Sequence, residues 1–137
     1  VEMHARCLGE TAREMLAFLD ALGSPRILAN LDYGNLIRAE GAEDPVTATQ
    51  MLTGKIGHIH AKNLVRSNGN TRFVPLEEGE VDYTKVIPAL LETGYKGAVT
   101  INPTTAATIS ISRFSKAFHP RNGVSFTMNR GMPANSS

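Results

Sequence analysis

Glu2, Asp32, His60 and Asn102 each close a separate strand-like segment, and the first three are residue types that ligate metal ions. A chain that sets a carboxylate or an imidazole at the end of successive strands builds one shared site from separate elements. In parallel α/β architectures that site lies at the carboxyl ends of the strands. Asn102 stands where a fourth ligand is expected. His58 and His60, in His-Ile-His, fall on one face of their strand because side chains alternate with a period of two; Glu2 and His4 repeat the arrangement on the first strand. Asp32, followed by Tyr33-Gly34, also reads as a turn former or helix cap, a common role for Asp. A strand histidine is ordinarily structural, but His60 stands at a strand's carboxyl end beside Lys62, which favours the ligand reading. Carboxylate–imidazole sets of this kind suit Mn, Mg, Co or Zn and leave positions open for a substrate's oxygen atoms.

The elements that must position these residues alternate between helix and strand. Ala12, Met15, Leu16, Leu19 and Leu22 follow helical spacing over residues 10–22, with Gly23 as C-cap and Pro25 enforcing the stop. Residues 26–31 read as a short strand delivering Asp32; Gly34 breaks it, and residues 36–39 suit a single turn. Asp44-Pro45 opens a helix that runs from Val46 to about Leu52 and stops at Gly54. Residues 55–61 form the next strand, and 63–79 a long loop with an extended piece at 71–76. Asp82 caps a helix over 83–93 whose inner face is Val86, Ile87, Leu90 and Leu91, despite Pro88 in its interior. Gly94 ends it, and residues 97–101 are the last strand. Helices between consecutive strands imply parallel strands, and four such strands are half of a (β/α)8 barrel. The expected fold is therefore α/β, a partial TIM barrel with flanking helices over residues 1–102.

Composition narrows the partners. A chain of 137 residues with 42% hydrophobic content supports one domain with a real core, and its formal charge of +1 implies no strong attraction to nucleic acid or anionic membrane. Cys7 is alone, which excludes an internal disulfide and fits a reducing, cytoplasmic compartment. It reads as a small residue opening a loop or helix rather than as a nucleophile. No apolar run approaches the ~20 residues of a membrane span, and no signal peptide opens the chain. A start at Val1, inside a strand end, is expected of a piece of a longer protein.

All 13 acidic residues precede Asn102, whereas residues 103–137 carry Arg113, Lys116, Arg121 and Arg130 and are dense in Ser, Thr, Asn, Pro and Gly. That tail is expected to be irregular or loosely ordered, with room for a short strand or turn around residues 108–118.

Four segments in order, Ile27-Leu-Ala-Asn-Leu-Asp-Tyr-Gly-Asn-Leu36, Gly54-Lys-Ile-Gly-His-Ile-His-Ala-Lys-Asn63, Val74-Pro-Leu-Glu-Glu-Gly-Glu-Val-Asp-Tyr83 and Gly94-Tyr-Lys-Gly-Ala-Val-Thr-Ile101, resemble the sugar phosphate isomerase/epimerase family of xylose isomerase-like TIM barrels. The resemblance covers residues 1–101 and corresponds to barrel strands five to eight. It implies that Glu2 is a metal ligand that also transfers protons, and that Asp32 and His60 are the next two ligands. His4, Lys62 and Arg66 then bind substrate. The family's Lys-Asp pair reads Lys62-Asn63 here, and its last-strand glutamate is Asn102, a neutral amide that cannot act as a base. Asn35 stands where some epimerases and the endonuclease IV branch have a histidine; that branch binds a zinc cluster with additional histidines, so Asn35 argues against the nuclease alternative.

The implied chemistry is metal-dependent isomerisation or epimerisation of a sugar or polyol, or a related dehydration. A divalent ion acts as Lewis acid at a carbonyl, and an acid–base pair moves a proton through an enediolate. The implied partner is a small sugar or sugar phosphate. Acid residues, glutamate and helix pattern all stop near Asn102, as a change of reading frame there would produce. For the chain alone, the expectation is little turnover, with a non-catalytic metal- or sugar-binding remnant as the alternative. Self-association is expected through the sheet edges that a half barrel exposes.

Overall fold

A computed structural model describes residues 1–4, 6–101 and 125–128. It contains a parallel sheet with its helices on one face. The order of elements is α1 (Ala12–Leu22), β1 (Ala29–Asp32), α2 (Tyr33–Leu36), α3 (Pro45–Met51), β2 (Ile56–Ala61), β3 (Asn63–Ser67), β4 (Asn70–Val74), α4 (Tyr83–Glu92), β5 (Ala98–Ile101) and β6 (Ser125–Met128). The main sheet runs β1-β2-β5-β6, all neighbours parallel, and a parallel bridge from Glu2 to Asn30 brings the first residues alongside β1. This is the α/β parallel architecture of a partial barrel.

Alternation sorts the two faces of the sheet. Leu31, Ile59, Ala61, Val99 and Ile101 point into one core cluster with Met15 and Leu19 of α1, Ala48 of α3 and Val86, Ile87 and Leu90 of α4. Pro88 is accommodated inside α4 on its exposed side. The opposite face of the strands carries Asn30, His58, His60 and Thr100, which is why the site is polar while the helical side is apolar. Register then sets the rows: Asn30 pairs with His58, Asp32 with His60, and His60 with Thr100.

Several local expectations need correcting. α1 starts at Ala12 rather than residue 10, because Thr11 and Glu14 form a reciprocal capping box. β1 starts at Ala29 rather than residue 26: Ile27 N–H donates to Ser24 in the turn after Pro25, and Ile27 and Leu28 are exposed. The turn expected at 36–39 begins earlier, since Asp32 caps α2 directly and Gly34 lies inside that helix. The loop expected at 63–79 is largely an antiparallel hairpin of β3 and β4 in which Asn63 faces Val74. Its turn is Asn68-Gly69, both at positive φ (49° and 76°), the backbone that a two-residue type I′ turn requires. Beyond residue 101 the described part is β6, a strand the tail composition did not announce; Asn102 and residues 108–118 lie outside the described residues.

Candidate metal centre

The ends of β1 and β2 and the bridged first segment bring the nominated ligands together. Glu2, Asp32 and His60 each offer one donor atom, and these atoms lie within 4.8 Å of one another. Glu2 Oε1 is 3.2 Å from His60 Nδ1, and Asp32 Oδ2 is 3.5 Å from the same nitrogen. Donors held at about 2.1 Å from one ion stand about 3.0–3.4 Å apart at angles between octahedral and tetrahedral. The two spacings to His60 lie at or close to that range, and two carboxylates with one imidazole are a donor set suited to a divalent cation. Glu2 has its side chain 43% exposed, so it can swing the remaining distance, whereas Asp32 is fully buried.

Burial obliges Asp32 to be paired, and it is. Its Oδ1 accepts the Asn35 N–H at 3.0 Å, closing the first turn of α2, and its Oδ2 accepts the Lys62 ammonium at 2.6 Å. Lys62 reaches this position because Gly34 leaves room: a Cβ there would sit 2.8 Å from the Lys62 Cβ. The Lys62 carbonyl accepts the hydroxyl of Tyr83, a buried ring packed edge-to-face on Tyr33 at 5.8 Å. Asn35 donates its side-chain amide to the Met3 carbonyl at 3.0 Å, tying the segment that carries Glu2 to α2.

A second polar row flanks the ligands. The His58 ring meets the His60 ring edge-to-face at 5.2 Å, and its Nε2 lies 3.0 Å from Thr100 Oγ1. Burial, and then the neighbouring His60, hold His58 below the usual histidine range, with Glu2 pulling the other way. The Asn30 amide nitrogen is nearly equidistant from both His60 ring nitrogens, 3.4 and 3.5 Å, so it lies against the ring rather than in one in-plane bond. Among the described residues, Asn30 Oδ1 is buried without a partner.

The family model that matches this chain is described as a xylose isomerase-like TIM barrel and covers residues 1–117. The chain belongs to that family. Within the xylose isomerase-like barrels, a 3-dehydroshikimate dehydratase of Bacillus anthracis is 30% identical over 110 residues, spanning 69% of this chain and 39% of that protein. The crystal structure of the probable 3-DHS dehydratase AsbF, involved in petrobactin synthesis in Bacillus anthracis, superposes with a TM-score of 0.64 at 26% identity. That match covers 87% of this chain and 48% of that one. The structure of L-ribulose 3-epimerase gives a TM-score of 0.59 at 25% identity over 86% and 37% of the two chains. The present chain thus spans less than half the length of each relative. The superfamily they share is one of sugar isomerase, epimerase and dehydratase enzymes.

The other nominated residues are placed differently. Lys62 joins the cluster through Asp32, and His4 is exposed at the end of the first segment. Arg66 lies on β3, where its Nε and Nη2 donate to Glu80 at 2.9 and 2.6 Å and its Nη1 donates to the Ile37 carbonyl at 2.8 Å. Two of its five N–H donors are left over for another acceptor. Asn63, the departure from Lys-Asp, is a buried bracket: its amide nitrogen donates to the Leu76 and Val81 carbonyls, and its Oδ1 accepts from the Val81 and Leu64 N–H groups. A carboxylate could not make the two donations. The sequence assigned no role to Asn30 and marked Gly34 only as a strand breaker. Asn30 was findable, since period two puts residue 30 on the face of Asp32; Gly34 carried no signal beyond its turn propensity.

Proposed function

We propose that this chain carries the metal-binding half of a sugar or polyol isomerase or epimerase, which moves a proton on a carbon next to a carbonyl. The observation that carries the reading is the convergence of Glu2, bridged in parallel to Asn30, with Asp32 and His60 toward the carboxyl ends of β1 and β2. A divalent ion there supplies Lewis-acid polarisation of a bound carbonyl. Glu2, the exposed carboxylate of the set, accepts the proton from the adjacent carbon. His60 and buried Asp32 are held rigidly by register and by α2, so they fix the geometry against which Glu2 moves. Lys62, His4 and the two spare N–H donors of Arg66 bind substrate oxygens, the Arg66 plane being pre-oriented by Glu80.

A dehydratase reading is favoured by the 30% identity to the 3-dehydroshikimate dehydratase. Inverting a carbon and removing water both begin by breaking a C–H bond, so the same residues serve either outcome and the products tell them apart. The test is titration calorimetry with Mn²⁺, followed by proton NMR of a ketose panel in heavy water. Binding that Asp32→Asn abolishes, together with metal-dependent loss of one C–H signal, is expected. New vinylic signals would assign dehydration, binding without exchange would assign a non-catalytic metal-binding remnant, and no Mn²⁺ binding would overturn the reading.

A further inference from the structure

We propose that Lys62 is the resident cation of the Glu2–Asp32–His60 site and that a divalent ion displaces it from Asp32 on binding. The inference rests on the metal-dependent reading above and adds an exchange of one cation for another. Asp32 is fully buried, and its two oxygens are divided between different tasks. Oδ1 is committed to the Asn35 N–H and with it to the start of α2. Oδ2 is the oxygen that faces His60 Nδ1 at 3.5 Å, so it is the one an ion shared with His60 must use. Lys62 Nζ holds that same oxygen at 2.6 Å, a short charge-assisted bond.

The arrangement answers a physical need. A buried carboxylate without a counter-charge is strongly unfavourable, so a metal site built on one requires a cation at all times. Lys62 supplies it from a fixed backbone and a movable stem. Its carbonyl is held by the Tyr83 hydroxyl at 2.7 Å, and its stem runs past Gly34, while the side chain remains 21% exposed. The ammonium therefore has a route outward when a divalent ion takes Oδ2, without any change in β2. The rival arrangement is one oxygen shared by both cations, with Lys62 staying in place.

Two measurements on the full chain separate these. Removing the ammonium with Lys62→Met keeps the stem and deletes the competitor, so Mn²⁺ should bind roughly 10- to 100-fold more tightly by calorimetry, the range that loss of one charge-assisted hydrogen bond corresponds to. In the parent chain, reductive methylation with labelled formaldehyde, read by peptide mass spectrometry, should modify Lys62 slowly without metal and several-fold faster with saturating Mn²⁺. Exposed Lys96 serves as the internal reference. Unchanged or weaker binding by Lys62→Met, or Lys62 protection that Mn²⁺ does not relieve, would overturn the exchange while leaving the metal site intact. Failure of both proteins to bind Mn²⁺ would overturn the exchange together with the site.

Discussion

Gly79→Ala drives a methyl group into the space of the Asn63 side chain, and the cost follows from what that side chain holds. The new Cβ would lie 2.8 Å from the Asn63 Cβ and inside the contact distance of its amide. Overpacking ordinarily costs about 1–3 kcal/mol because neighbours yield. Asn63 is 1% exposed and cannot yield freely, since its amide bonds the Leu76 and Val81 carbonyls at 2.6 and 2.8 Å and the Val81 N–H at 2.9 Å. Displacing it strands buried backbone groups at about 1–3 kcal/mol each. Gly79→Ala and Asn63→Ala should therefore each lose about 3–5 kcal/mol. In the double variant the methyl meets no amide and fills part of the space, so the pair should lose about 2 kcal/mol less than the sum. Urea unfolding followed by circular dichroism, with m values compared, reads the cycle. An additive pair would lose about 6–10 kcal/mol, comparable to the whole stability of an ordinary domain. Single losses near zero, or additivity within about 0.5 kcal/mol, would refute the reasoning. Because Asn63 follows Lys62 directly, the same bracket steadies the cation of the site.

The remaining predictions are smaller or concern pH. Thr11→Ala removes the capping box of α1 and should cost about 1 kcal/mol in the same urea assay, whereas Thr11→Ser should cost less than half of that. Burial raises Tyr33 and Tyr83 well above the ordinary tyrosine range and pushes Tyr95 up to about 12. A folded value above the unfolded one means that stability is full below pH 10 and lost as pH rises through the folded values. Absorbance at 295 nm should therefore show all three tyrosines ionising late and together with unfolding; an early, independent tyrosine step would contradict it. Arg66 holds the Glu80 carboxyl below the usual range, so that pair stabilises above the ordinary glutamate value and fades as pH falls through the lowered one. Arg66→Met should flatten the acid limb of stability against pH while costing less than about 1 kcal/mol at pH 7, since the pair is exposed.

The parts of the fold that depend on neighbouring residues were legible, and those that depend on distant pairings were not. Apolar spacing located α1 and α4, and Asp44-Pro45 located α3, because each signal lies within a turn of the element it marks. The hairpin was missed although Asn68-Gly69 is a strong two-residue turn signal. Its strands, with Arg66, Ser67, Asn70, Thr71 and Arg72 exposed, lack the apolar alternation that half-buried strands show. Thr11 was likewise overlooked beside more conspicuous apolar positions, although Thr-x-x-Glu spells the capping box. β6 had no local mark, since its pairing with β5 joins segments more than twenty residues apart.

The candidate site divides along the same line. Asp32 and His60 could be nominated singly, because each ends a strand, but their convergence depends on the register that sets Asp32 beside His60. A slip of one residue would turn His60 to the helical face and remove the site altogether. The period of two that aligned His58 with His60 also carries Lys62 toward the same side, so its approach to Asp32 was within reach of sequence reasoning. What periodicity could not supply is the space for that approach. Gly34 provides it from the first turn of α2, one strand away, and a side chain there would collide with the lysine stem. The glycine read from sequence as a strand breaker is thus better understood as the clearance that lets a buried carboxylate keep its cation.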